Sequence, residues 1–151
     1  MTALSPHVTL GVAGEIFATP VDHVEAILDM QPIAMLAQAP ANVLGMIDLR
    51  GQTVPVIDLR RTLGMEPSED TDFTRIVVMR FDGLCIGIRA DRVFEVAALD
   101  DDRLEDAPKI GSAWSHCIAG VGRRGGNLVT VLDFRKLLSH ASDLESLARA
   151  A

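Results

Sequence analysis

Apolar positions in this chain come in short runs that alternate with polar residues or stay apolar throughout, and each run stops at turn residues. Val8–Val12, Glu15–Thr19, Thr53–Ile57, Arg75–Phe81, Leu84–Ile88, Val93–Leu99 and Leu128–Leu132 are such runs. A period near two, bounded by Gly, Pro, Asn and Asp, predicts short strands and a mainly β protein. "VAGE" and the Asp82-Gly83 of "FDGL" predict hairpin turns. Three pieces read as helical. Pro40 opens "APANVLG" (about residues 40–45) in the position suited to a first helical turn. In "DLRRTLG", Asp58 is placed to cap and Gly64 to stop a short helix. Ser142-Asp-Leu-Glu145 is a capping-box pattern that opens a terminal helix.

The pattern repeats. Residues 43–64, "VLGMIDLRGQTVPVIDLRRTLG", lie without gaps over residues 118–139, "IAGVGRRGGNLVTVLDFRKLLS", with seven identities in 22 positions. Average residue usage gives about one or two by chance. "DHVEAI" at 22–27 lies over "DRVFEV" at 91–96 at a slightly different offset, each preceded by a hairpin. The chain is therefore two copies of one unit of hairpin, strand, strand–turn–strand and Asp-capped helical turn. Each copy has about five short strands. Closure into a small barrel removes free sheet edges, and two barrels would share a core in the seam between them. The expected organisation is one domain over 1–151: a first barrel over about 8–70, a second over about 71–139, and a C-terminal helix or tail over 140–151.

The repeat also disposes of a nucleotide reading. Gly120-x-Gly122-x-x-Gly125 spells a dinucleotide fingerprint, which must follow a strand and open a helix. Here a second strand follows, so Gly122, Gly125 and Gly126 are expected in a turn region with Arg123 and Arg124 exposed. The chain is 48% hydrophobic and 4% aromatic, which makes the core aliphatic. Its net charge of −7 argues against nucleic acid or an anionic membrane as the primary partner. No apolar run reaches the ~20 residues of a membrane span, and the N-terminus lacks a signal-peptide pattern, so the expected compartment is the cytoplasm. Cys85 and Cys117 lie in apolar runs and read as buried thiols. The acidic loops Glu66–Asp72 and Asp100–Asp106 read as solvated. His7, His23, His116 and His140 have no metal-ligand spacing. No catalytic, cofactor-binding or metal-ligating residue is expected.

Gly45, Leu49, Arg50, Gly51, Val54, Pro55, Val56, Asp58, Leu59 and Arg60, with "IGIRADRVFEV" and "IAGVGRRGGNLVTVLDFRKLL", resemble the CheW-like domain family of bacterial chemotaxis, over about residues 8–139. The resemblance implies two SH3-like five-stranded barrels with short helices. It implies a non-catalytic adaptor that couples the tips of methyl-accepting chemoreceptors to the histidine kinase CheA by docking on the kinase's CheW-like regulatory domain. Association with receptor arrays would then come through these partners. It further implies a receptor-facing groove between the barrels at Val24, Gly45, Arg50, Gly51 and Val93, with Ile27 and Val96 nearby. The kinase would dock on an outer barrel face. The physical reading agrees in kind, since a helix docks through apolar residues in a groove with few polar anchors. Arg50 offers a five-donor fork for such an anchor, or pins its own loop through an internal salt bridge.

Two positions depart from the family pattern. The acid usually found in V-x-E-I, near that arginine, stands one residue earlier in Val24-Glu25-Ala26-Ile27. A one-residue step moves a side chain to the opposite face of a strand. The second copy keeps the pattern as Val93-Phe94-Glu95-Val96. Asp48 stands where Asn is frequent. The altered Glu25 leaves a second function open, a CheW-like regulator of another two-component kinase outside chemotaxis.

Overall fold

The computed structural model describes residues 6–99, 105 and 117–139. Ten strands occupy most of them: β1 (Pro6–Val12), β2 (Glu15–Pro20), β3 (Val24–Asp29), β4 (Val43–Leu49), β5 (Gln52–Asp58), β6 (Arg75–Phe81), β7 (Leu84–Ala90), β8 (Arg92–Ala98), β9 (Ile118–Arg124) and β10 (Asn127–Leu132). A 3₁₀ turn spans Val21–His23, and two short helices follow the second hairpins, α1 (Leu59–Thr62) and α2 (Phe134–Ser139). The strands form two five-stranded sheets, ordered β8-β1-β2-β10-β9 and β3-β6-β7-β5-β4. The fold is mainly β with few short helices, as the patterning predicts.

The sheets do not divide at residue 70. Each is built from the hairpin of one copy and the three later strands of the other: β1 pairs with β8 and β2 with β10, while β6 pairs with β3 and β7 with β5. The expectation of one barrel over 8–70 and another over 71–139 is corrected to two interleaved halves. A lone two-stranded hairpin is marginal in water; here each hairpin becomes the centre of a sheet by inserting between strands of the other copy. The repeat survives the exchange, because the parallel pair Val56↔Gly87 of one sheet is matched by Val131↔Ala18 in the other.

Four hairpin turns share one geometry. Ala13-Gly14, Arg50-Gly51, Asp82-Gly83 and Gly125-Gly126 have φ of 53/80°, 53/82°, 49/86° and 57/85°. Two successive positive φ values mark the type I′ turn, whose twist suits a two-residue hairpin. The glycine-rich stretch is thus a turn, as the repeat requires, although Gly122 lies within β9 opposite Val129.

The apolar side chains sort into three cores. Ile47, Val54, Val56, Ile76, Val78 and Cys85 fill the inside of one sheet, and Ala18, Leu99, Val129 and Val131 that of the other. The largest cluster, which includes Val8, Leu10, Phe17, Ile57, Val77, Met79, Ile88, Leu132 and Phe134, draws on both sheets and is the shared seam. Bulges let one strand serve two cores. The register of β3 shifts between Val24 and Ala26, so Val24 packs on the seam while Ala26 and Leu28 pack inside the barrel. An extra residue that bends a strand is what such a switch needs.

Two local expectations are corrected. The segment 40–45 is not helical: Val43 N–H donates to Pro40 O at 2.9 Å to close a turn, and β4 starts at Val43, opposite Ile57. A strand is favoured there because Val43 enters the seam core. Asp58 precedes α1, yet its carboxylate makes no cap bond and turns instead to Arg89. The terminal helix expected over 140–151 lies outside the described residues, as does most of the loop Asp100–Asp106.

Candidate functional site at the seam

Val24 and Val93 both pack, half-buried, on the shared seam core, one from each sheet. Directly opposed residues in an antiparallel pair share a face. Ile27 lies opposite Val77, and Val96 opposite Val8; Val77 and Val8 are both seam residues. Ile27 and Val96 therefore look toward the seam, but they are 40% and 53% exposed, at its open rim. Val24 and Val93, and likewise Ile27 and Val96, hold equivalent positions in the two copies, one of each pair in each sheet.

Gly45 is a packing position. It is buried with φ of +148°, and a Cβ there would stand 2.1 Å from Ala34 O. Ala34 N–H donates to Met46 O and Met46 N–H to Ala34 O, each at 2.8 Å, which fastens the segment after β3 along β4. Absence of a side chain at residue 45 permits that close approach.

Arg50 and Gly51 form the exposed tip of the β4–β5 hairpin. They lie at the end away from Val43 and Ile57, the hairpin's seam residues. Arg50 stands outside the shared core, with no hydrogen bond or ion pair to any described residue. It is held at φ 53°, a left-handed conformation that L-residues other than Gly, Asn and Asp seldom adopt. It adds only a weak electrostatic pull that helps keep the Glu25 carboxyl ionised. The displaced acid is engaged elsewhere: both Glu25 oxygens accept from Arg80 Nη2 at 3.0 Å, and the Cys85 thiol donates to Oε2 at 3.3 Å. These two partners hold Glu25 below the ordinary carboxylate value. In turn burial first, and Glu25 next, push the Cys85 thiol up to about 11. In the second copy Glu95, which keeps the family spacing, pairs with Arg124 at 3.2 Å.

The sequence profile of the CheW-like domain matches residues 6–142. The chain belongs to the CheW family. "Chemotaxis protein CheW" of Rhizobium meliloti (strain 1021) is 28% identical over 142 residues, covering 88% of this chain and 92% of that protein. Its namesake in Treponema pallidum (strain Nichols) is 28% identical over 149 residues, 93% of this chain and 85% of the relative. "Protein FrzA" of Myxococcus xanthus is 27% identical over 81% of this chain and 78% of its own length. The crystal structure of the scaffolding protein TtCheW from Thermoanaerobacter tengcongensis superposes with a TM-score of 0.82 at 22% identity, covering 91% of this chain and 90% of that one. The two-sheet fold is thus that of a CheW protein.

Sequence reasoning did not single out the buried ion network beside this family motif. Arg89, 4% exposed, reaches Asp58 Oδ1 at 3.2 Å, Asp70 Oδ1 at 2.7 Å and Ser68 O at 2.9 Å. It therefore ties down the acidic loop 66–72, which was expected to be merely solvated. The signal was present: an arginine inside the apolar run "CIGIRA" must find an acid, because a buried charge is tolerated only when paired. Arg60 likewise binds Asp91 through Nη2 at 2.7 Å, and Asp91 also accepts from Ala13 N–H at 2.8 Å. No described helix is long and apolar enough to cross a membrane, and no group of His, Cys, Asp and Glu among the described residues could hold a metal.

Proposed function

We propose that this chain is a non-catalytic chemotaxis adaptor that couples chemoreceptor tips to the histidine kinase CheA. The observation that carries the reading is the exposure of two apolar residues, Ile27 and Val96, each opposed on its sheet to a residue of the shared core; outside that core, the β4–β5 hairpin tip presents an arginine with no hydrogen-bond partner among the described residues. Membership of a family whose relatives bear the name chemotaxis protein CheW supports it. A helical hairpin docks by laying apolar residues into such a groove. Val24, Ile27, Val93 and Val96 supply the apolar contact. Arg50 supplies the fork for a carbonyl or carboxylate of the receptor, Gly51 completes its turn, and Gly45 keeps β4 in place without touching the partner. The kinase's CheW-like regulatory domain binds an outer barrel face. The protein works in the cytoplasm and reaches receptor arrays through its partners.

A second reading, a regulator of another two-component kinase, draws on Glu25, which is committed to Arg80 and Cys85 instead of the arginine of the motif. Affinity capture from cells that express the tagged full chain separates the two. Recovery of CheA together with chemoreceptors supports the adaptor. Recovery of a different histidine kinase without either would overturn it in favour of the second reading.

A further inference from the structure

The interleaved repeat allows one sheet to be compared with the other residue by residue. Asp58 corresponds to Asp133 and, through the parallel strand beside it, Arg89 corresponds to Pro20. In one sheet the buried Arg89 guanidinium fills the space against the Asp58 carboxylate. In the other, proline has no such head, and a cavity of about 370 Å³ opens there, lined by Thr19, Pro20, His23, Phe81, Asp133 and Arg135 among others. Asp133 has no ion pair among the described residues; its Oδ1 accepts from Lys136 N–H at 3.1 Å and so caps α2. Arg135 does not neutralise it. Like its counterpart Arg60, it is committed to another acid, Asp82 at 2.6 Å, and its guanidinium lies over the Phe81 ring at 5.8 Å.

We infer that this cavity receives the guanidinium of an arginine side chain presented by a partner protein, in the place that Arg89 fills internally in the other sheet. A planar fork suits a carboxylate that has no ion pair of its own. Asp133 is the one carboxylate among the described lining residues, and the lining arginine is already paired. The lining offers no second carboxylate for the α-amino group of a free arginine, so an arginine whose α-amino group is tied up in a peptide loses nothing there. The site is distinct from Arg50, and the inference does not depend on which partner the seam groove takes.

The test is a backbone-amide NMR titration of the full chain with N-acetyl-arginine amide, N-acetyl-lysine amide and free L-arginine. The expected result is saturable shifts centred on Leu132–Phe134 and Thr19–Val21, with the capped arginine at least as tight as free arginine and tighter than capped lysine. Asp133→Asn keeps the helix cap, since asparagine caps as well as aspartate, and should weaken binding about tenfold, the effect of one lost charge-assisted hydrogen bond. Pro20→Arg supplies the guanidinium from within; it should abolish the shifts and raise Tm. Absence of saturable shifts in the wild type, or equal binding by Asp133→Asn, would overturn the site. Equal binding of lysine would overturn the guanidinium, and tighter binding of free arginine would overturn the protein-borne source. Should Pro20→Arg fail to fold, the Asp133→Asn comparison decides alone.

Discussion

Replacement of Arg50 by asparagine separates the two roles open to this residue, because asparagine suits the turn while removing the guanidinium. Arg50 sits at φ 53° in a type I′ turn, where a non-glycine L-residue carries about 1–2 kcal/mol of local cost. Asparagine is enriched in that conformation. No hydrogen bond or ion pair to a described residue is lost, and Glu25 keeps Arg80 and Cys85. Stability should therefore hold or rise by up to about 1 kcal/mol, which is roughly 2–4 °C in Tm for a domain of this size. If the fork anchors a receptor helix, the loss is one charged hydrogen bond or a bidentate pair, about 1.5–3 kcal/mol, or roughly 10- to 150-fold in Kd. Calorimetric titration with a soluble receptor-tip hairpin and, separately, with the CheA regulatory domain reads both affinities. Thermal unfolding reads the turn. Arg50→Lys keeps the charge and loses the planar fork, and should recover only part of the receptor affinity. A fall in Tm with loss of both affinities would refute the reasoning and make Arg50 a structural pin. Unchanged receptor affinity would remove it from the groove.

Other substitutions test the framework. Gly45→Ala places a Cβ 2.1 Å from Ala34 O and 2.8 Å from Ile33 Cγ2; denaturant unfolding should show a loss of about 1–3 kcal/mol or more, the range for overpacking. Arg89→Met strips the buried Asp58 of its buried partner and leaves it only the half-exposed Arg61, 3.5 Å away; removal of one partner of a buried pair costs about 3–5 kcal/mol, and the remaining Arg61 contact puts the expected loss at the low end of that range, seen as a lower midpoint at unchanged slope. For Asp91, burial opposes ionisation, but the Arg60 and Ala13 hydrogen bonds win and hold its carboxyl below its usual value. Its contribution to stability is present above the unfolded-state pKa of about 4 and is lost as pH falls through the lower folded value; Asp91→Asn should flatten that acid limb of the unfolding free energy. With the Cys85 thiol raised to about 11 and Cys117 also raised by burial, native protein at pH 8 should react with a disulfide reagent far more slowly than unfolded protein.

The strands were legible because each buries one or both faces, so alternation and β-branched runs report them directly; Arg75–Phe81 is the same in pattern and structure. The internal repeat was legible as well, and it predicted the shared seam. Which hairpin joins which sheet was not, since the exchange of β1–β2 with β6–β7 leaves every local pattern unchanged and is decided by long-range pairing. The helical reading of 40–45 failed because Pro40 opens a turn as readily as a helix. At the candidate site, Val24 and Val93 follow from the strand pattern. That Arg50 makes no hydrogen bond or ion pair with a described residue does not, because Glu25 is drawn to Arg80 on a strand whose bulge spacing alone does not reveal.

The central claim is that this chain bridges receptor and kinase, and its most direct test is calorimetric titration of the full protein with the isolated regulatory domain of its cognate CheA, repeated after saturation with the receptor-tip hairpin. The account predicts stoichiometric binding in both titrations, with the seam and the outer barrel face acting as separate surfaces. No heat of binding in the first titration, or complete loss of kinase binding in the second, would contradict it.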